Sequence, residues 1–356
     1  MYNSNDKYVA YVGTYTHGSS IGIHVYDLDV ENGYMTERNV VPVNNASHVA
    51  KSNNGKYLYS IADEGVAVMK IEEDGGLTPI NKVGIDGMRG CFLATDVDGT
   101  YLYVAGYHDG KVTVVHTHRD GRLGSLMDGV FHTGLGSVAE RNFRPHVNCV
   151  RPTPDNKYLC AVDNGLDQVK IYRINKQRNK LELVDILRCP RESGPRIIRF
   201  SDDGKFAYIL FELSNEIKAY KYDGSGKTPE FELIQSVETS KKKDAHDTHS
   251  AASGLTLAND GKHLFCTTAG EDTVSMFERD EETGMLTRKF TLPISGEYPK
   301  DIVLFPDDKH LAVTNHASNT ITIFSVDYEK NIIVMNGKPL KVTEPNSIQI
   351  WPVPEE

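Results

Sequence analysis

Ser52-Asn53-Asn54-Gly55-Lys56-Tyr57-Leu58-Tyr59-Ser60-Ile61 sets a polar turn ahead of an apolar run, and the same arrangement returns along the chain. It recurs as DVDGTYLYVA from Asp96, TPDNKYLCAV from Thr153, SDDGKFAYIL from Ser201, ANDGKHLFCT from Ala258 and FPDDKHLAVT from Phe305. Anchored on Gly55, Gly99, Asn156, Gly204, Gly261 and Asp308, successive copies lie 44, 57, 48, 57 and 47 residues apart. That is the period of propeller blades. Asn-Gly and Asp-Gly between apolar runs signal a two-residue hairpin turn in which both central residues take positive φ. Each anchor is therefore expected to join two antiparallel strands.

A third strand follows each anchor (GVAVMKI, KVTVVHT, QVKIYRI, EIKAYKY, TVSMFER, TITIFSV), and a weaker fourth follows in several copies (LTPINKV, LELVDIL, MLTRKFTL). Four strands per unit describe a propeller blade. Near the start, Lys7–Val12 matches a second strand and GIHVYDLD a third, but no first strand precedes them. The last strand, Ser347–Val353, has no partner of its own, so pairing it into the first blade would remove an exposed edge. The expectation is an all-β, seven-bladed β-propeller over residues 1–356, a single domain whose terminal strands share one blade.

Composition narrows the function. Of 356 residues, 39% are hydrophobic and 25% charged, which suits a globular protein. No run approaches the ~18 apolar residues of a spanning helix, and the polar start runs straight into a strand, so no membrane association and a cytoplasmic location are expected. A net charge of -10 argues against nucleic acid as a partner. The basic run Lys241-Lys242-Lys243 meets Asp244 at once and reads as a solvated loop. Five cysteines without a C-x-x-C pair read as small buried hydrophobes rather than a disulfide framework.

In an antiparallel hairpin the start of the first strand and the end of the second share one end. Eight residues before the anchors stand Ser47, Cys91, Asn148, Arg196, Ser253 and Lys300; eight after stand Asp63, Tyr107, Asn164, Glu212, Ala269 and His316. These form one expected rim at the channel mouth. Arg196 and Glu212 belong to one hairpin and should be neighbours, as a structural ion pair or as site groups. Lys300 adds a second cation suited to an anionic ligand. His146, in Arg144-Pro145-His146-Val147-Asn148, can act as general base or acid near neutral pH. Two long loops are expected over the rim, 122–143 and 238–250. The second holds His246-Asp247-Thr248-His249, which reads as a solvated loop before it reads as a metal site. His116 and His118 end a third strand, away from the channel. No P-loop, dinucleotide-binding glycine motif or G-x-S-x-G is present.

These residues resemble the seven-bladed lactonases that include propeller-type bacterial 6-phosphogluconolactonase and the fungal carboxy-muconate cycloisomerase. Tyr11-Val12-Gly13-Thr14-Tyr15-Thr16 is similar to the family's opening strand, and Ala46-Ser47-His48-Val49-Ala50 to its second-blade entry. Ala139-Glu140-Arg141 with Arg144-Pro145-His146, Gly194-Pro195-Arg196 with Phe211-Glu212-Leu213, and Tyr298-Pro299-Lys300-Asp301 with Val313-Thr314-Asn315-His316 resemble further family motifs. The resemblance implies His146, Arg196 and Glu212 as catalytic groups, with no cofactor and no metal. The sequence departs from the family at Asn148, where the family has a second His, and at Ala269, where it has an Arg. The sixth-blade entry Ser253-Gly254-Leu255-Thr256 departs as well. Expected substrate contacts are Arg144, Asn148, Lys300, His316, Asp63, Tyr107 and His249, and the natural substrate is expected to differ from the family's best-known one.

The expected activity is hydrolysis of a sugar-derived, anionic lactone by metal-independent acid–base chemistry. Either Glu212 or His146 would activate water, and Arg196 would hold the oxyanion or the ligand. An isomerase or lyase using the same rim, or a non-catalytic propeller binding a ligand or protein, are the alternatives.

Overall fold

The computed structural model describes residues 3, 6–137, 143–240 and 250–353. Among them it forms seven sheets, six of four strands and one of five, each built mainly from consecutive strands. In the first sheet the strand Pro345–Pro352 lies antiparallel to Tyr8–Thr14, with Tyr8 opposite Pro352 and Val12 opposite Ile348. The chain's last strand thus covers the edge that its first strand would leave open. Two compact units share the sheets. One comprises Met1–Val49, Lys70–Thr78 and Val237–Glu356; the other comprises Ala50–Met69 and Pro79–Ser236.

Burial explains the sequence pattern within each sheet. Second strands such as Tyr8–Thr14, Phe206–Phe211 and His310–Asn315 are buried at every position. They have no solvent face, so they read as apolar runs without strict alternation. Fourth strands such as Tyr34–Pro42 and Glu230–Glu238 are largely exposed, which is why their signal is weak. One of them, Leu123–Phe131, occupies the first part of the span expected as the long loop 122–143. Gly124 and Gly129 disguise it, since glycine carries no strand signal. Of the five cysteines, Cys149, Cys160 and Cys266 are buried, whereas Cys91 and Cys189 are only half-buried.

The repeated turn is not the expected two-residue type. In all six copies only the anchor has positive φ: Gly55 72°, Gly99 65°, Asn156 55°, Gly204 69°, Gly261 69° and Asp308 59°. The anchor N–H donates to the carbonyl three residues back, as from Gly55 to Ser52 at 2.9 Å and from Asp308 to Phe305 at 2.9 Å. A wider bond closes the loop, as from Ser52 N–H to Tyr57 O at 2.9 Å and from Ser201 N–H to Phe206 O at 2.9 Å. This is a four-residue loop around one ordinary turn, which needs a single left-handed residue. The residue before the anchor explains the Asn/Asp preference. The side-chain oxygens of Asn54, Asp155, Asp203, Asp260 and Asp307 accept the N–H two residues on, at 2.7–3.2 Å.

One buried pair ties a loop to the sheet beside it. His132 Nδ1 lies 2.6 Å from Asp163 Oδ2, and neither side chain is exposed. Asp163 Oδ1 accepts the N–H of His146 at 2.9 Å and of Leu166 at 3.1 Å. Burial pushes His132 below the usual histidine range, against the opposing pull of Asp163.

Two predictions follow from this framework. A Cβ at Gly55 would meet nothing within 4 Å, so only the left-handed backbone penalises a side chain there. Gly55→Ala should cost about 1 kcal/mol in urea unfolding, and Gly55→Asn clearly less, because Asn tolerates that conformation. Because the folded pKa of His132 is depressed, the unfolded chain binds more protons as pH falls through about 6.5, and stability should fall with it. His108, His310 and His316 are shifted the same way, each chiefly by burial. His132→Asn should flatten the slope of unfolding free energy between about pH 7 and pH 5; an unchanged slope would remove His132 from the account.

Candidate active site

Three of the residues counted eight back from the anchors, Asn148, Arg196 and Lys300, stand where the first strand bulges. Between Pro195–Phe200 and Phe206–Phe211 the register runs Pro195–Phe211 and then Ile197–Leu210, leaving Arg196 as the extra residue. Asn148 holds the same place between Val147 and Cys149, and Lys300 between Pro299 and Asp301. A bulge adds one residue to one strand and re-aims its side chain. In the sheet containing Ala269 the register runs Ala252–Thr268 and then Leu255–Cys266, so Ser253 and Gly254 together stand opposite Thr267. In the first sheet the extra residue is Asn346, between Pro345 and Ser347. Counting from anchors missed Asn346 because its strand has no such turn. The available signal was the proline before it, as in Pro195-Arg196 and Pro299-Lys300; a bulge tolerates the missing N–H.

Arg196 and Glu212 meet at the open end of their hairpin. Arg196 Nη1 donates to Glu212 Oε2 at 2.7 Å, with side-chain exposures of 22% and 13%. The pair is thus shielded yet reachable, where a charge-assisted bond is strong. Asn164, at the end of the neighbouring sheet's second strand, sends Nδ2 to the same Oε2 at 3.3 Å. The backbone is bonded there too, with Glu212 N–H donating to Gly194 O at 2.7 Å.

His146 is 4% exposed. Its Nδ1 lies 2.7 Å from the Tyr107 carbonyl, and its ring stacks on Tyr107 with centroids 4.3 Å apart and planes at 15°. A carbonyl only accepts, so Nδ1 carries the proton and Nε2 presents the lone pair. Phe143 meets the ring edge-on at 6.1 Å, and the exposed Arg144 lies over Phe143, its Cζ 5.5 Å from the ring centroid. The backbone of His146 is held at both ends, by Asp163 Oδ1 on its N–H and by Asn164 N–H on its carbonyl, each at 2.9 Å.

One unit therefore contains His146, Tyr107, Arg144, Asn148, Arg196 and Glu212. Asn148 is half-buried there, and its Nδ2 has no partner among the described residues. Asp63 lies in the same unit but turns toward its own outer strand, 3.5 Å from Lys82 Nζ. Its strands are joined by the two residues Asp63 and Glu64, a shorter link than the one carrying Glu212, and this redirects the side chain. Lys300 and His316 lie in the other unit. Lys300 Nζ sits 4.8 Å from the ring centroid of Tyr298, whose φ is +56°. His316 meets Tyr15 edge-on at 5.7 Å, and burial, then the Lys300 charge, lowers its pKa. His249, His246, Lys241 to Asp244 and Ala139-Glu140-Arg141 lie outside the described residues. Among those described, no group of three or more His, Cys, Asp or Glu side chains is placed to hold a metal, and no helix is long and apolar enough to cross a membrane.

The family profile described as "Lactonase, 7-bladed beta-propeller" matches residues 9–350. A 6-phosphogluconolactonase of Bacillus subtilis is 34% identical over 306 residues, covering 84% of this chain and 86% of the relative. A solved structure described as a putative 6-phosphogluconolactonase from Bacteroides fragilis superposes with a TM-score of 0.89 at 29% identity, covering 99% of both chains. The periplasmic gluconolactonase of Pseudomonas aeruginosa gives a TM-score of 0.91 at 26% identity, covering 98% of this chain and 100% of the other. With its seven sheets, its hairpin-borne Arg196–Glu212 pair and these relatives, the chain belongs to the seven-bladed β-propeller lactonase family and is a lactonase-type enzyme.

Proposed function

We propose that the chain hydrolyses a sugar-derived lactone carrying an anionic group, using His146, Arg196 and Glu212 without a metal. The observation that carries this reading is the His146 imidazole, whose Nδ1 is committed to the Tyr107 carbonyl so that Nε2 is the basic nitrogen. It stands in the same unit as a guanidinium fixed by a carboxylate.

In the proposed reaction Nε2 of His146 takes a proton from water as the water oxygen attacks the lactone carbonyl carbon. The carbonyl electron pair moves onto oxygen, where Arg196 stabilises the negative charge. As the intermediate collapses, the ring C–O bond breaks and the imidazolium returns its proton to the departing alkoxide. The product is the open hydroxy acid. Glu212, ion-paired with Arg196, fixes the guanidinium. Proton transfer and oxyanion stabilisation are both supplied by side chains, so the scheme calls on no metal. Arg144, Asn148 and Tyr107 are proposed substrate contacts. We place the enzyme in the cytoplasm, where its thiols would stay reduced.

A pH-stat screen of phosphorylated, carboxylated and neutral sugar lactones tests the assignment. His146→Ala should lower kcat by about 10²- to 10⁴-fold and Arg196→Ala by about 10²- to 10³-fold, while chelators leave the rate unchanged. Solvent ¹⁸O should appear in the product acid. Label-free product of unchanged mass would move the enzyme to an isomerase, and full activity in both variants would remove the assignment. The anion preference is tested separately. Arg144→Met should raise KM for an anionic lactone about tenfold while leaving a neutral one within about twofold. Equal effects on both substrates would discard the anion role.

A further inference from the structure

We propose that Asn164 is a positioning residue that locks the Glu212–Arg196 pair to the segment carrying His146. This inference rests on the reading above, and it concerns a residue that contacts neither water nor lactone in the proposed reaction. The tripeptide Asp163-Asn164-Gly165 stands at the end of a buried strand. Asp163 and Asn164 are 0% and 2% exposed. Asp163 holds the N–H of His146 and Asn164 holds its carbonyl, so one dipeptide fixes both faces of the His146 backbone. Asn164 then spends its side chain on a different sheet, donating from Nδ2 to Glu212 Oε2, the same oxygen that receives Arg196.

Two glycines show how closely this clamp is built. A Cβ on Gly165 would stand 1.6 Å from the Arg144 carbonyl and 3.0 Å from the His146 nitrogen, so only glycine lets the His146 segment lie across the strand end. A Cβ on Gly194 would stand 2.9 Å from Asn164 Nδ2 and 2.7 Å from Leu213 Cγ, and Gly194 has a φ of 60°. Gly194 is also the residue whose carbonyl receives Glu212 N–H. The absent side chain therefore leaves the space through which the Asn164 amide reaches the carboxylate. A neutral amide is suited to this place: it donates to a carboxylate that Arg196 already neutralises, without adding charge. An aspartate of the same shape would put a second carboxyl beside the first, and two such groups cannot both ionise easily.

The Cys91 thiol feels the charge of Arg196, but burial pushes it up to about 12, so it stays protonated. Asn164→Asp should therefore stay close to wild type on the acid side, where the new carboxyl is protonated and can still donate to Glu212, and fall behind as pH rises and both carboxyls ionise. It should lose about tenfold relative to wild type at about pH 8.5 and less than about threefold at about pH 5.5. A defect in folding alone would lower both by the same factor. Asn164→Ala should lower kcat about tenfold with KM within about twofold, and its effect should vanish in a Glu212→Gln background, because the two act through one contact. Circular dichroism and the urea midpoint establish that each variant is folded; should Asn164→Asp not fold, the Asn164→Ala and Glu212→Gln cycle decides alone. Independent, multiplying effects in the cycle, or an Asn164→Asp profile parallel to wild type, would overturn the positioning role while leaving the proposed function standing. Glu212→Gln at full activity would instead overturn the function of the pair, and this role with it.

Discussion

Everything functional in this chain depends on the length of one hairpin. Each anchor turn closes a four-residue loop with two backbone bonds, one from the left-handed residue and one across the loop mouth. Once that loop is set, the pairing register of the two strands is set with it, since a slip of one residue would turn every buried side chain outward. Residues at equal distances from the turn then arrive together at the far end. Arg196 and Glu212 lie 16 positions apart in sequence and meet at 2.7 Å for this reason.

The bulge converts this regularity into chemistry. An unbroken strand would alternate its residues between the two buried faces of the sheet. The extra residue in the Pro195–Phe200 strand interrupts that alternation at the strand's start and places Arg196 where it can meet Glu212. The same interruption presents Asn148 and Lys300, so the fold offers one variable side chain per bulged strand at a fixed place. In the sheet that also carries Ala269, Ser253 and Gly254 together take that place opposite Thr267. Substrate differences within such a fold can therefore arise at a few positions without disturbing the buried strands between them.

Around His146 the protein relies on fully buried polar groups. Asp163 accepts from His132, His146 and Leu166, which satisfies its oxygens with three donors. A buried carboxylate is tolerable only with such satisfaction. The result is a rigid support under a histidine that lies outside the strands, on the segment leading into one.

The sequence alone specified the repeat, the blade count, the sharing of a blade by the two ends of the chain, and the meeting of Arg196 with Glu212. All four follow from local signals: apolar runs, turn residues and equal spacing from a turn. It misjudged the turn type, because Asn-Gly and Asp-Gly suit more than one hairpin loop and the choice lies in bonds that spacing does not reveal. It took Leu123–Phe131 for loop because an exposed outer strand carries little pattern. Asp63 was expected on one rim with Tyr107 and Glu212; its two-residue connection brings it 3.5 Å from Lys82. What only the tertiary structure decided is the support of the site. The contact of His132 with Asp163, the reach of Asn164 to Glu212 and the glycine space that admits it join residues 31 and 48 positions apart on separate elements. Such contacts are set by how sheets pack, and packing leaves no periodic trace in the chain.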